Sequence, residues 1–190
     1  MRIKICGITR PEDAQFAERE GATAIGVVMF SESPRSVSPE QARAIFDSVG
    51  PFTATVAVTH TKSQVDLDKI LALHPTAIQI FNPFVLPKNI GAKVIRAIGR
   101  EDPLIGDCDA IIVDESLGKG IVFDLSRVHE VAQKSPVPVI LAGGLTPENV
   151  SEAIRQVQPY AVDVATGVEK SPGVKDHEKI RAFIAECRSV

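Results

Sequence analysis

The sequence predicts an α/β protein closed as a (β/α)8 barrel of the TIM type, trimmed so that the helices after its fourth and fifth strands are short or absent. Three observations carry that prediction. Eight short runs rich in β-branched residues recur along the chain, most of them followed by a turn and a pattern of helical period. Polar residues gather at the carboxyl ends of those runs, whereas the opposite ends carry turn residues such as Gly21-Ala22, Pro51 and Pro136. No Gly-x-Gly-x-x-Gly turn follows the first run, as an open doubly wound sheet usually has.

The elements follow in order. Ile3–Cys6 is a strand that delivers Cys6 into a glycine turn, and Thr9 and Glu12 have capping-box spacing ahead of a helix over Pro11–Glu20. Ala24–Phe30 is the second strand. After it, Ser38-Pro39-Glu40-Gln41 combines a capping serine, a first-turn proline and a capping-box glutamine to start a helix over Pro39–Ser48. Thr53–Thr59 and a helix over Ser63–Leu73 make the third unit. The strands Ala77–Ile80 and Lys93–Ile98 have little behind them: Phe84–Ile90 allows one or two turns, and Glu101–Gly106 almost nothing. Asp109–Asp114 precedes a helix over Leu125–Lys134. Val137–Ala142 leads through Thr146-Pro147, a second cap and proline, into Pro147–Val157. Ala161–Ala165 and a helix over Asp176–Arg188 close the set. No linker or low-complexity stretch divides the chain, so residues 1–190 are expected to form one domain.

Composition excludes several classes of function. The net charge of −3, with no basic block, argues against a nucleic-acid surface. No apolar run approaches the roughly 18 residues of a membrane span. The short, charged start is not a signal peptide, which leaves the cytoplasm as the expected location. Cys6, Cys108 and Cys187 are far apart, without Cys-x-x-Cys spacing, so neither a zinc site nor a disulfide framework is expected. Cys108 and Cys187 read as packing residues. No His/Asp/Glu cluster has metal-ligand spacing, and no histidine pairs with a Ser or Cys in a local hydrolase motif.

Several residues could carry chemistry. Cys6, at the carboxyl end of a strand, is a candidate acid, base or nucleophile; alone, it would equally be a small buried apolar residue. Lys4 shares its strand face, and a lysine inside a barrel needs a partner, for which Asp163 on the neighbouring eighth strand is suited. Such a pair would be structural, or would raise the positive potential near Cys6. Asp114 ends the sixth strand, where a carboxyl facing the mouth would serve as an acid and one facing away would be a cap or solvated loop residue. The glycine turns at Gly143-Gly144 and Ala165-Thr166-Gly167 end the last two strands, where barrels commonly build a phosphate site from backbone N–H groups. Arg35, in a loop over the mouth, suits a carboxylate or a phosphate. Gln79 and Arg96 are further polar residues at strand ends, and His60 could face the site. His74, His129 and His177 read as surface residues.

The run Lys4-Ile5-Cys6-Gly7-Ile8-Thr9 followed by Asp13-Ala14 resembles phosphoribosylanthranilate isomerases. So do Ser33-Pro34-Arg35-Ser36-Val37-Ser38, Leu141-Ala142-Gly143-Gly144-Leu145, Val162 to Glu169, and Pro172-Gly173-Val174-Lys175-Asp176. These segments span nearly the whole chain in the family's order. The resemblance implies an Amadori rearrangement in tryptophan biosynthesis, without a cofactor, on a small phosphosugar substrate. In it Asp114 is the acid that opens the ribose ring and Cys6 the base at C2′. Arg35 holds the anthranilate carboxylate, and the backbone around Gly143-Gly144 and Ala165–Gly167 holds the phosphate. Lys4, Gln79 and Asp163 are possible supporting residues, and the enzyme is expected to be a monomer or a homodimer.

This chain departs from the family's pattern in three places. Phe81-Asn82 stands where the family usually has His-Gly, the loop after Asp114 is shorter, and the fifth helix is nearly missing. Two rival functions remain open at this stage. Another phosphosugar isomerase on the same barrel would carry an aspartate in place of Cys6, and a catalytically silent barrel would bind a phosphorylated ligand without turning it over.

Overall fold

The computed structural model describes residues 1–87, 89–99, 107–114 and 125–190. Eight parallel strands form a closed ring: β1 (Arg2–Ile5), β2 (Ala24–Met29), β3 (Ala54–Thr59), β4 (Ala77–Ile80), β5 (Lys93–Ile98), β6 (Ala110–Asp114), β7 (Val139–Ala142) and β8 (Ala161–Val164). Each pairs with its sequence neighbours, and β8 returns to β1 in a register that sets Lys4 opposite Asp163. A closed ring has no free sheet edge. A two-residue strand, Ser36–Val37, adds to the rim of β2.

The helices α1 (Pro11–Glu20), α2 (Pro39–Phe46), α3 (Gln64–Leu71), α4 (Leu125–Lys134), α5 (Val150–Val157) and α6 (His177–Arg188) surround the ring. Strands buried on both faces read as continuous apolar runs, and these do. Their outward residues, Ile3, Ile5, Ile25, Val27 and Met29 among them, pack under the helices with Leu67, Ile70 and Phe183. Their inward residues form a separate cluster that includes Val28, Val56, Val58, Ile95, Ile112 and Ile140. Cys187 belongs to the outer core, where burial pushes its thiol up to about 12.

Most element boundaries fall within two residues of the sequence expectation, and the exceptions have local causes. Helix α1 starts at the expected residue without the expected capping box. Arg10 is its N-cap with no side-chain cap bond, and Thr9 instead donates to the Gly173 carbonyl at 2.6 Å. Pro11 restrains the first turn, and Asp13 is buried where Arg10 chelates it and His177 Nε2 lies 2.9 Å from Oδ1. His177, at the surface as expected, also stacks on Phe16 at 3.9 Å and so joins α1 to α6. Helix α5 begins at Val150, three residues later than expected. Thr146 caps a turn instead, its hydroxyl accepting from Glu148 N–H while Asn149 Oδ1 accepts from Thr146 N–H. By contrast, both arms of the Ser38/Gln41 capping box are present.

After β4, no helix occurs among the described residues up to Ala92. The expectations for Glu101–Gly106 and for the loop Glu115–Gly120 lie outside the described residues. Arg96 is a correction: it does not face the mouth. Ile95 and Ala97 point inward and Val94 and Ile98 outward, so strand alternation turns Arg96 outward with the latter pair, 3.5 Å from Asp107 Oδ2.

Replacing Ser38 by Ala should remove one arm of the only reciprocal cap described and cost about 1 kcal/mol. Chemical denaturation should show a lower midpoint at unchanged slope.

Candidate active site

Cys6 stands just beyond β1, with its N–H donating to the Val164 carbonyl at 2.8 Å. Two residues on, Ile8 N–H donates to Gly26 O at 3.0 Å, so the turn is stitched to strands on both sides. Gly7, between them, has a φ of 72° that favours glycine, and a Cβ there would lie 2.6 Å from Arg35 Cδ. The glycine thus permits both the turn and the passage of Arg35 across it.

Beneath the turn, Lys4 and Asp163 form a buried ion pair, Nζ to Oδ1 at 2.9 Å. This is the pairing expected from the sequence. Gly26 on β2 makes room for it. A Cβ on Gly26 would fall 2.9 Å from both Cys6 Sγ and Lys4 Cε, and 3.0 Å from Lys4 Nζ. The thiol and the ammonium therefore share one slot. Burial disfavours the Lys4 cation, but Asp163 and Cys6 beside it outweigh that and hold its pKa above the usual lysine value. For Cys6 the balance runs the other way: burial pushes the thiol up, with Lys4 and Lys175 pulling it only part of the way back.

Asp114 ends β6, half-buried, and lines a cleft of about 250 Å³ together with Gly143, Gly144, Ala165, Thr166 and Gly167. Gly143 and Gly144 both take positive φ, 89° and 58°, which turns the backbone after β7. Gly167 is required for another reason, because a Cβ there would meet the Leu145 carbonyl at 1.9 Å. The loops after β7 and β8 thus touch backbone to backbone, and Asp163 reaches the cleft from below. The cleft brings the expected acid and the expected phosphate loops together. Cys6 is not in its lining but stands on the next strand of the ring.

Arg35 reaches the mouth from the loop after β2. Its Nε and Nη2 donate to Glu169 Oε1 and Oε2 at 2.9 and 2.7 Å, and Nη2 also donates to Thr166 Oγ1 at 3.1 Å. Its side chain is 19% exposed, so it is a positioned guanidinium and not a solvated loop charge. Gln79 is in the barrel interior, 4% exposed, and its Oε1 is buried without a partner among the described residues. His60 lies on the β3–β4 side of the rim. It stacks on Phe81 at 4.0 Å, its Nδ1 is 3.1 Å from Ser31 Oγ, and burial lowers its pKa. Asn82, the other departure from the family, donates to the His60 carbonyl at 2.8 Å and joins the ends of β3 and β4.

Three residues of this site had no assigned role on sequence grounds. Gly26 carried a legible signal, an isolated glycine inside a strand, which marks close approach. Glu169 and Lys175, which surround Arg35 from the far end of the chain, carried none beyond their motif. Among the described residues no group of three or more His, Cys, Asp or Glu side chains could hold a metal ion.

In the ligand-free protein, the Cys6 thiolate should titrate above the ordinary thiol range, read as the ultraviolet thiolate absorbance absent from Cys6→Ser. Lys4→Gln should move that titration further up, because the neighbouring cation that favours the thiolate is gone.

Comparison with known proteins agrees with this fold. Residues 3–186 match the family model described as N-(5'phosphoribosyl)anthranilate (PRA) isomerase. A relative of that name from Methanoregula boonei is 61% identical over 189 residues, covering 99% of this chain and 97% of its own. The solved phosphoribosyl anthranilate isomerase in complex with reduced 1-(o-carboxyphenylamino)-1-deoxyribulose 5-phosphate superposes with a TM-score of 0.83 at 33% identity, both chains covered in full. A monomeric form of the dimeric enzyme from Thermotoga maritima gives the same score, identity and coverage.

Proposed function

The chain belongs to the phosphoribosylanthranilate isomerase family, and from that premise we propose how its mouth residues divide the work. The activity is an aldose–ketose isomerisation in tryptophan biosynthesis, in which N-(5′-phosphoribosyl)anthranilate becomes 1-(2-carboxyphenylamino)-1-deoxyribulose 5-phosphate. Asp114 donates a proton to the furanose ring oxygen as the C1′–O bond breaks, leaving a Schiff base between C1′ and the anthranilate nitrogen. The Cys6 thiolate then takes the C2′ proton. That electron pair becomes a C1′–C2′ double bond while the imine pair returns to nitrogen, and the resulting enolamine tautomerises to the ketone.

The observation that carries this reading is the order of strands around the mouth. Asp114 on β6 and Cys6 after β1 flank the cleft between β7 and β8. A phosphate held there by the backbone at Gly143, Gly144, Ala165, Thr166 and Gly167 leaves the sugar between an acid and a base. Arg35 receives the anthranilate carboxylate. Lys4 and Asp163 support Cys6 from below, and Gln79 supports the floor. The biosynthetic role supports a cytoplasmic location and one catalytic domain over residues 1–190, working as a monomer or a homodimer.

Complementation of a tryptophan auxotroph lacking this isomerase tests the reading. The wild-type gene should restore growth, and Cys6→Ala and Asp114→Asn should not. In purified protein each should lower kcat by about 10²- to 10⁴-fold with the substrate still bound. A rate indifferent to Cys6→Ala would remove the thiol from the mechanism. The wild-type kcat/KM should fall as pH is lowered, because the base must be ionised and burial holds the thiol above its usual pKa.

A further inference from the structure

Glu169 and Lys175 are buried charges that the proposed chemistry does not use. The Lys175 side chain is fully buried and that of Glu169 is 3% exposed. They occur in a short antiparallel hairpin, Glu169–Ser171 with Val174–Lys175, which follows the loop after β8. Glu169 Oε1 accepts from Arg35 Nε at 2.9 Å, from Lys175 Nζ at 3.0 Å and from Gly173 N–H at 3.3 Å, and Oε2 accepts from Arg35 Nη2 at 2.7 Å. Lys175 Nζ also donates to the Ala165 carbonyl at 2.9 Å, inside the phosphate loop. One carboxylate therefore joins the arginine over the mouth to the backbone of the opposite seat.

The geometry of the guanidinium decides what this arrangement can do. An arginine offers five N–H groups on three edges. Glu169 occupies the side edge, through Nε and Nη2, and Thr166 takes a further Nη2 hydrogen. Thr166 thereby takes the Nη2 half of the end edge, and among the described residues no hydrogen bond engages Nη1, so the Nη1 hydrogens are the ones left for a ligand. Two cations share one carboxylate, which leaves the cluster net positive. Burial works against the Glu169 carboxylate, but Arg35 and Lys175 outweigh it and hold the carboxyl below its usual range.

We propose that Glu169, anchored by Lys175, is a positioning residue: it holds Arg35 by its side edge so that Nη1 is offered to the ligand, and it sets the carboxylate seat at a fixed distance from the phosphate loop. Recognition of the substrate's ortho carboxylate is then set from the β8 side of the ring. This rests on the reading that Arg35 receives the anthranilate carboxylate.

The test compares two stable ligands by calorimetry, reduced 1-(o-carboxyphenylamino)-1-deoxyribulose 5-phosphate and the same compound without its carboxyl group. Glu169→Gln should weaken the first roughly 10- to 100-fold, the scale of one lost charge-assisted contact, and leave the second within about twofold. Glu169→Asp keeps the charge and should recover part of the loss. In an Arg35→Met background, Glu169→Gln should add nothing. Equal weakening of both ligands by Glu169→Gln, or losses that add in the double variant, would overturn the proposal. If Arg35→Met itself leaves the preference between the ligands intact, the assignment of Arg35 fails and the proposal with it, an outcome distinct from failure at Glu169 alone. Should Glu169→Gln not fold, Glu169→Asp carries the same comparison, and an unchanged preference there would overturn the proposal.

Discussion

The buried pair of Lys4 and Asp163 is the constraint around which this site is organised. A lysine inside a barrel is tolerated only with a partner, and the register of β1 against β8 supplies one directly opposite. Such a pair contributes little net stability, since desolvating two charges offsets most of their attraction. Its value here is positional. It holds an ammonium against the thiol of Cys6, and it obliges β2 to pass with no side chain at Gly26. Three strands are thereby specified by one interaction.

From that pair outward, the site occupies one half of the barrel rim. Taken around the ring, β6, β7, β8 and β1 contribute Asp114, the two glycine turns and Cys6. Arg35 comes from the loop after β2 but crosses Gly7 to reach Thr166 and Glu169. Among the described residues, the far half, β3 to β5, contributes no side chain to the cleft between β7 and β8. Two of the shortened connections fall on that far side, whereas the third, the loop after Asp114, adjoins the site. The first two follow β4 and β5, the strands diametrically away from the β8–β1 junction, where a helix serves the outer core alone. Phe81, in place of the family's usual histidine, also falls on that side and packs on His60.

Legibility in the sequence followed the range of the interaction. Strands and helices were readable because their signals are local: β-branched runs, Ser38-Pro39 with Gln41, and glycine turns. The placement of Asp114, Cys6 and the two glycine turns at one mouth was readable because a parallel barrel brings the carboxyl ends of its strands to one rim. The failures came from distant parts of the chain meeting. Thr9 had the right spacing to cap α1, yet its hydroxyl is turned to donate to the Gly173 carbonyl, 164 residues away, and Arg10 takes the N-cap position. Arg96 counted as a rim residue until strand alternation turned it outward. Glu169 and Lys175 had no local reason to be buried, and only the return of the hairpin to Arg35 supplies one.

The raised pKa of the Cys6 thiol fits the role of base better than it first suggests. Removing a proton from carbon demands a strong base, and a thiolate from a high-pKa thiol is stronger than one from an ordinary thiol. Strength and availability oppose each other, because the same burial that strengthens the base lowers the fraction ionised. Lys4, Arg35 and Lys175, all within electrostatic reach of the sulfur, shift that compromise toward the thiolate. A carboxylate in the same slot would be ionised more readily and would be the weaker base. In the proposed mechanism the cations at the β8–β1 junction therefore do two things with one field: they receive an anionic substrate, and they favour the charged form of a strong base beside it.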